Sequence, residues 1–163
     1  MEKIYGTSVR QDGLYKIGRN KWELIYGFGK DKEEDETGWN WRQLFTSKPT
    51  DDEIKEILTE QINAEIDRKI LTGFAWNGKP VWLSTENQFN YKAAYDMAEM
   101  TEGASLPVTF KLGENVDKSP VYHTFAELDD FRDFYKKAMA HVIATLNEGW
   151  REKDSILVHV WDG

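Results

Sequence analysis

Cysteine is absent from this chain of 163 residues. That absence removes disulfides, zinc–thiolate sites, iron–sulfur clusters and thiol nucleophiles together, while leaving the compartment open. Long hydrophobic runs are missing too, since no apolar stretch approaches the roughly 20 residues that span a bilayer. A membrane-embedded role is therefore not expected. Histidine is scarce: His123, His141 and His159 are far apart in sequence. None has a second histidine or a carboxylate at metal-ligand spacing. H-E-x-x-H, G-x-x-x-x-G-K and G-x-S-x-G are all absent. Gly27-Phe28-Gly29 is a lone G-x-G without the rest of a dinucleotide fingerprint, which reads as a turn or bulge. Positive charge is in deficit, with 21 basic against 29 acidic residues and a net charge of −8. A nucleic-acid binder gains affinity by neutralising phosphates, so no nucleic-acid partner is expected. No catalytic residue, cofactor or metal-ligand set is expected either. Paired carboxylates such as Asp129-Asp130 and Glu65-Asp67 fall on solvated helix faces.

Signals for regular structure are plentiful. They centre on the stretch from Thr50 to Met100, which reads as helix, tight hairpin, helix. Pro49-Thr50-Asp51-Asp52-Glu53 has the form of a capping box, with the Thr50 hydroxyl and the Glu53 carboxylate satisfying each other's backbone amides. Three acidic residues also suit the positive end of the helix dipole. Ile54, Ile57, Leu58, Ile62, Ala64 and Ile66 then recur at helical spacing. After Ile70 the period changes. Asn77-Gly78 tolerates the positive φ angles of a two-residue type I′ turn, so Leu71–Trp76 and Lys79–Ser84 are expected to pair around it. Pro80 has no amide to donate and belongs at a sheet edge. Thr85-Glu86-Asn87-Gln88 repeats the capping-box pattern and predicts a second helix from about Asn87 to Thr101, with Phe89, Ala93, Met97 and Met100 as its apolar face.

The N-terminal part reads as a small β unit. Turn candidates at Asp12-Gly13 and Arg19-Asn20 separate Ile4–Arg10, Leu14–Ile17 and Lys21–Phe28, and Trp39–Phe45 follows as a fourth strand. The run from Lys30 to Glu36 is too charged for a core and reads as a solvated loop. A weak calcium site is its functional alternative, but the spaced acidic pattern of such loops is missing. Past the second helix, Leu106–Leu112 alternates as a strand, Gly113-Glu114-Asn115 turns the chain, and Val116–Tyr122 returns, with Pro120 at an edge. Thr124-Phe125-Ala126-Glu127 suggests a third capping box, opening a long helix from about Ala126 to beyond Asn147. Leu128, Phe131, Tyr135, Ala138, Val142 and Thr145 form its stripe, widened by Phe134, Met139 and Leu146. Gly149 would weaken that helix. The β-branched tail Ile156–Trp161 reads as an edge strand, a docking segment or a loose terminus.

The fold class expected is α+β: an N-terminal antiparallel β unit (residues 1–49, a possible appendage) followed by an α-ββ-α-ββ-α domain (residues 50–163). Seven tryptophans allow two readings, core filling or an exposed platform for a sugar ring or a protein partner. Trp76 and Trp82 flank the Asn77-Gly78 turn, so Trp76, Asn77, Gly78 and Trp82 are the candidate partner-binding residues. The start Met1-Glu2-Lys3-Ile4-Tyr5-Gly6 lacks the basic and apolar regions of a signal peptide, so cytoplasmic synthesis is expected.

The segment from about Gln61 to Ser155 resembles a family of phage and prophage proteins known as domain of unknown function 4376. The resemblance is carried by Ile66-Asp67-Arg68-Lys69-Ile70-Leu71-Thr72-Gly73-Phe74, Asn77-Gly78, Val81-Trp82-Leu83-Ser84 and Gln88-Phe89-Asn90-Tyr91. Leu106-Pro107-Val108-Thr109-Phe110 and the long helix from Phe125 add to it. It covers roughly the last two thirds of the chain and leaves residues 1–49 outside. Members of that family are similar to tail-fibre and other virion-associated proteins. The resemblance therefore implies a non-enzymatic structural or assembly protein of a phage tail, with a tail component as protein partner; a homo-oligomer and a place in the virion are compatible with that setting, and the sequence leaves the oligomeric state open. Two rivals come from the residues: a carbohydrate-binding module using exposed tryptophans, with a glycan as ligand, and a small hydrolase using a carboxylate pair.

Overall fold

A computed structural model of the chain describes residues 1–161. Its strands are β1 (Glu2–Thr7), β2 (Gly13–Gly18), β3 (Lys21–Gly29), β4 (Gly38–Phe45), β5 (Phe74–Trp76), β6 (Lys79–Val81), β7 (Val108–Glu114) and β8 (Pro120–Phe125). The helices are α1 (Asp51–Thr72), α2 (Thr85–Met100) and α3 (Leu128–Val158). The chain is α+β, with an antiparallel N-terminal sheet followed by helix, hairpin, helix, hairpin and helix. Its contacts form two compact units, one of Met1–Ile62 with the chain from Arg151 onward, the other of Asn63–Trp150. The expected division at 49/50 marks the change from strand to helix. The compact units divide instead inside α1 and α3.

In the first unit the sheet order is β1-β4-β3-β2, all antiparallel. Leu14 pairs with Leu24, and Tyr26 with Trp41, so these side chains share one face. The turn at Arg19-Asn20 forms as expected, with Asn20 at φ 57°, a conformation asparagine tolerates better than most residues. The α1 capping box is present: the Thr50 amide donates to Glu53 at 2.7 Å and the Glu53 amide to Thr50 Oγ1 at 3.2 Å. Leu14, Leu24, Tyr26, Ile54, Leu58, Ile62, Ile156 and Trp161 are buried here. The Tyr26 hydroxyl donates to Glu152 at 2.6 Å. Burial, then this carboxylate, pushes the Tyr26 phenol well above its ordinary pKa. The tail is not a strand: α3 runs on to Val158, and Trp161 is buried edge-on against Tyr26, 6.4 Å between ring centroids.

The second unit holds an aromatic core. Trp76, Tyr91, Phe125, Phe131 and Phe134 are buried in one cluster with Val81, Leu83, Ala98, Leu112 and Ala138. The Asn77-Gly78 turn forms as its residues dictate, with φ 49° and 73° and Trp76 opposite Lys79. The α1 stripe, begun at Ile54, Leu58 and Ile62, stays buried at Ile66, while Ala64 is exposed. α3 passes unbroken through Gly149, and the reason is proximity. A Cβ there would overlap Ile66 Cδ1, so glycine is what admits the Ile66 side chain against α3. Lys69 reinforces the crossing through Glu148 (3.2 Å) and through its carbonyl, which accepts from His141 Nε2 at 2.9 Å.

Several local expectations are corrected. α2 is capped by Ser84, whose hydroxyl accepts from the Asn87 amide at 3.2 Å. The side chains of Asn87 and Gln88 reach back to the carbonyls of Trp82 and Leu83, so no box forms on Thr85. Thr124 lies in β8 and bonds Thr109 across the hairpin, and α3 begins only at Leu128. The second hairpin turns later than expected. β7 continues through Gly113 to Glu114, and the turn is closed by the Asn115 amide donating to Ser119 at 2.9 Å.

These caps separate by mutation. Ser84→Ala should cost about 1 kcal/mol of stability, the usual value of an N-cap hydroxyl. Thr85→Ala should change stability by less than about 0.5 kcal/mol, as surface substitutions do. Urea denaturation of the two variants measures the difference.

Candidate protein-contact surfaces

The hairpin nominated from sequence splits into an anchor and a tip. Trp76 is 3% exposed, so its ring lies in the core. Its indole N–H donates to Asp133 at 2.9 Å, and its ring meets His123, Phe125 and Phe134 with centroids 4.9, 5.5 and 5.4 Å away. The expectation that Trp76 meets a partner is thereby corrected: strand alternation turned it inward. Asn77 and Gly78 are exposed at the tip, and Trp82 is half-buried with Lys111 Nζ 5.6 Å from its ring centroid. The structure thus gathers Asn77, Gly78 and Trp82 on one hairpin and fixes it from beneath through Trp76.

Beside the anchor, Lys79 Nζ lies 2.7 Å from His123 Nδ1. An ammonium can only donate, so Nδ1 accepts and the ring proton sits on Nε2. Burial first, then the Lys79 charge, holds His123 below its ordinary pKa, against a smaller opposite pull from Asp130. Between α2 and α3, Glu99 takes a forked contact from Arg132, with Nη2 to Oε2 at 2.8 Å, and also accepts from the Tyr95 hydroxyl at 2.8 Å. The Arg132 hydrogen bonds, then Tyr95, hold the Glu99 carboxyl down at about 2.

α2 presents the surface that periodicity assigned wrongly. Its inward residues are Tyr91, Ala94, Tyr95 and Ala98. Tyr91 stands edge-on to Phe110 and Phe134, while Tyr95 stacks on Tyr135 with centroids 4.4 Å apart. Burial pushes the Tyr91 hydroxyl up to about 12. The residues expected inside, Phe89, Ala93, Met97 and Met100, face solvent, with Phe89 71%, Met97 49% and Met100 76% exposed. Sequence reasoning found this stripe and gave it the wrong partner. Two tyrosines bury more aromatic surface against a phenylalanine-rich core than Phe89 and two methionines offer.

The other tryptophans do not form a flat platform. Trp39 and Trp41 share a face, but their rings are inclined at 65°, and Lys3 Nζ lies 3.9 Å from the Trp39 ring centroid. Trp22 has Lys48 Nζ 5.2 Å from its centroid, Trp161 is buried and Trp150 is exposed. Among the described residues no three His, Cys, Asp or Glu side chains gather as a metal site, and no helix is long and apolar enough to cross a membrane. In comparisons with known proteins, the sequence model of the family described as Domain of unknown function (DUF4376) matches residues 53–160. No curated protein and no solved structure matches the chain.

Two outcomes are expected at the hairpin. Trp76→Ala should cost about 3–5 kcal/mol, as large aromatic truncations in cores do, whereas Trp82→Ala should leave the fold intact by circular dichroism. A lowered folded-state pKa means that folding favours the neutral His123 ring, so its contribution is full above the ordinary value near 6.5 and declines as pH falls through it. The drop in Tm between pH 7.5 and pH 5 should therefore be smaller in His123→Gln than in the parent protein.

Proposed function

From the premise that the chain belongs to this family of unknown function, we propose that it is a non-enzymatic structural or assembly protein of a phage or prophage tail. It acts through protein–protein contacts. The setting comes from the resemblance carried by residues 66–74, the Asn77-Gly78 hairpin and the long third helix. The mode of action is carried by one observation, the outer face of α2. Isolated exposed apolar side chains are ordinary, but a contiguous row on one helix face is characteristic of a contact surface. Phe89, Met97 and Met100 form such a row, each about half exposed or more. The tip at Asn77 and Gly78, with Trp82 beside it, is a second, smaller contact point. Its fixed anchor lowers the ordering cost of binding.

A carbohydrate-binding module is the alternative. It calls for rings aligned to receive a sugar face, and the 65° inclination of Trp39 to Trp41 offers no such alignment.

The tail reading is tested in the particles themselves. Purified particles of the phage or prophage that encodes the chain should contain it by immunoblot, or a deletion should yield particles with defective tails. Its absence from wild-type particles, together with infectious particles from the deletion strain, would contradict the reading. Tryptophan fluorescence should stay unchanged across a broad glycan panel, and quenching by one glycan would transfer the assignment to the alternative.

A further inference from the structure

The α2 stripe has an internal symmetry that names its occupant. Along the helix the order is Phe89, Ala93, Met97, Met100, with spacings of four, four and three residues, so these side chains lie in one row. Laying a second, antiparallel copy of α2 across this row, with the two-fold axis near Ala94 and Tyr95, sets Phe89 opposite Met100 of the second copy. Ala93 then falls opposite Met97 of the second copy. Each large side chain meets either the small alanine or a partner of sulfur–aromatic type, a favourable contact for methionine. The same axis relates the charges on one border of the row. Lys92 and Asp96 lie 2.6 Å apart within one chain. Across the axis, Lys92 of each copy comes level with Asp96 of the other, to within about two residues or 3 Å of helix rise. The pair can thus exchange partners at little cost. A parallel arrangement would instead align the two helix dipoles, which repel.

We propose that the outer face of α2 is an isologous interface, closed by the antiparallel α2 of a second copy of this chain. The proposal rests on the reading of this face as a contact surface and adds its occupant and register. A two-fold contact of this kind is self-complementary by construction, each patch supplying both halves of every pair. Apolar side chains half exposed or more in one chain become its buried centre, and the Lys92 and Asp96 pairs form its rim. Salt therefore weakens the rim and leaves the centre intact.

The test is a mass series on the intact chain by light scattering and sedimentation, from about 10 μM to about 1 mM, the range in which a contact this small associates. The mass should rise with concentration from 19.0 kDa to twice that value. Met97→Glu, at a position 49% exposed, should keep its Tm and raise the dissociation constant by about tenfold or more. Charge variants test the register. Lys92→Glu leaves two acids on the border and Asp96→Lys leaves two bases, so each alone should dimerise less than the parent. An equimolar mixture of the two variants should recover a dimer, because the acid introduced at position 92 of one chain then meets the base introduced at position 96 of the other. A parent chain that stays monomeric at about 1 mM overturns the proposal, as does a dimer indifferent to Met97→Glu, or a mixture no stronger than its components. A monomeric chain that is nevertheless found in particles would end this proposal and leave the tail reading standing.

Discussion

The placement of Trp76 is the constraint on which the second unit depends. A β-hairpin with three residues per strand has almost no stability of its own, and β5–β6 is such a hairpin. What fixes it is the core: Val81 is buried in the same cluster, the Trp82 amide just beyond β6 donates to the Leu112 carbonyl at 2.7 Å, and the Trp76 ring lies among Phe125, Phe134 and His123 with its N–H held by Asp133 of α3. Because Phe125 ends β8 and stacks on Phe131 of α3, with centroids 4.6 Å apart, the second hairpin joins the same core. Tyr91 brings α2 in from another side through Phe134 and Phe110. Four elements converge on one set of rings. The exposed parts of those elements, the Asn77-Gly78 tip and the outer face of α2, are held in place by what lies beneath them.

How far the sequence could be read depended on whether a signal was local. The Asn77-Gly78 turn and the Thr50/Glu53 box are decided by the residues that form them, and both appear where the residues put them. The stripe of α3 was legible because Phe131, Phe134 and Ala138 leave one apolar face and no rival. α2 was different, for it carries two candidate faces: Phe89, Met97 and Met100 on one, Tyr91, Tyr95 and two alanines on the other. A hydrophobicity ranking prefers the first. The core prefers the second, because tyrosine rings stack and stand edge-on against aromatic neighbours while small alanines allow close approach. That preference is set by partners far along the chain, on β7 and α3, and no local window contains them. The same limit explains Thr124, whose capping pattern is outweighed by its pairing with Thr109 in a hairpin. Gly149 reads as a weak point in a helix until Ile66 is seen to need the space.

The candidate site followed the same rule. Asn77, Gly78 and Trp82 were nominated by turn chemistry and remain accessible, and Trp76 was misjudged because alternation alone does not say which face of a hairpin is covered. The α2 surface was present in the sequence as a row of four residues and became a candidate only when the core was seen to take the opposite face. The two errors have one origin. Sequence periodicity finds a face, and tertiary partners decide whether it is the inside or the outside.

Trp76 is the buried anchor of this arrangement, and hydrogen exchange at its indole N–H tests this directly. Trp150, 52% exposed in the same chain, serves as the internal reference. In deuterated solvent followed by NMR, the Trp76 indole proton should exchange among the slowest in the protein, requiring opening of the core, while that of Trp150 exchanges at once. A Trp76 indole that exchanged as fast as that of Trp150 would show that the hairpin is not anchored through it, and the account of the core would fall.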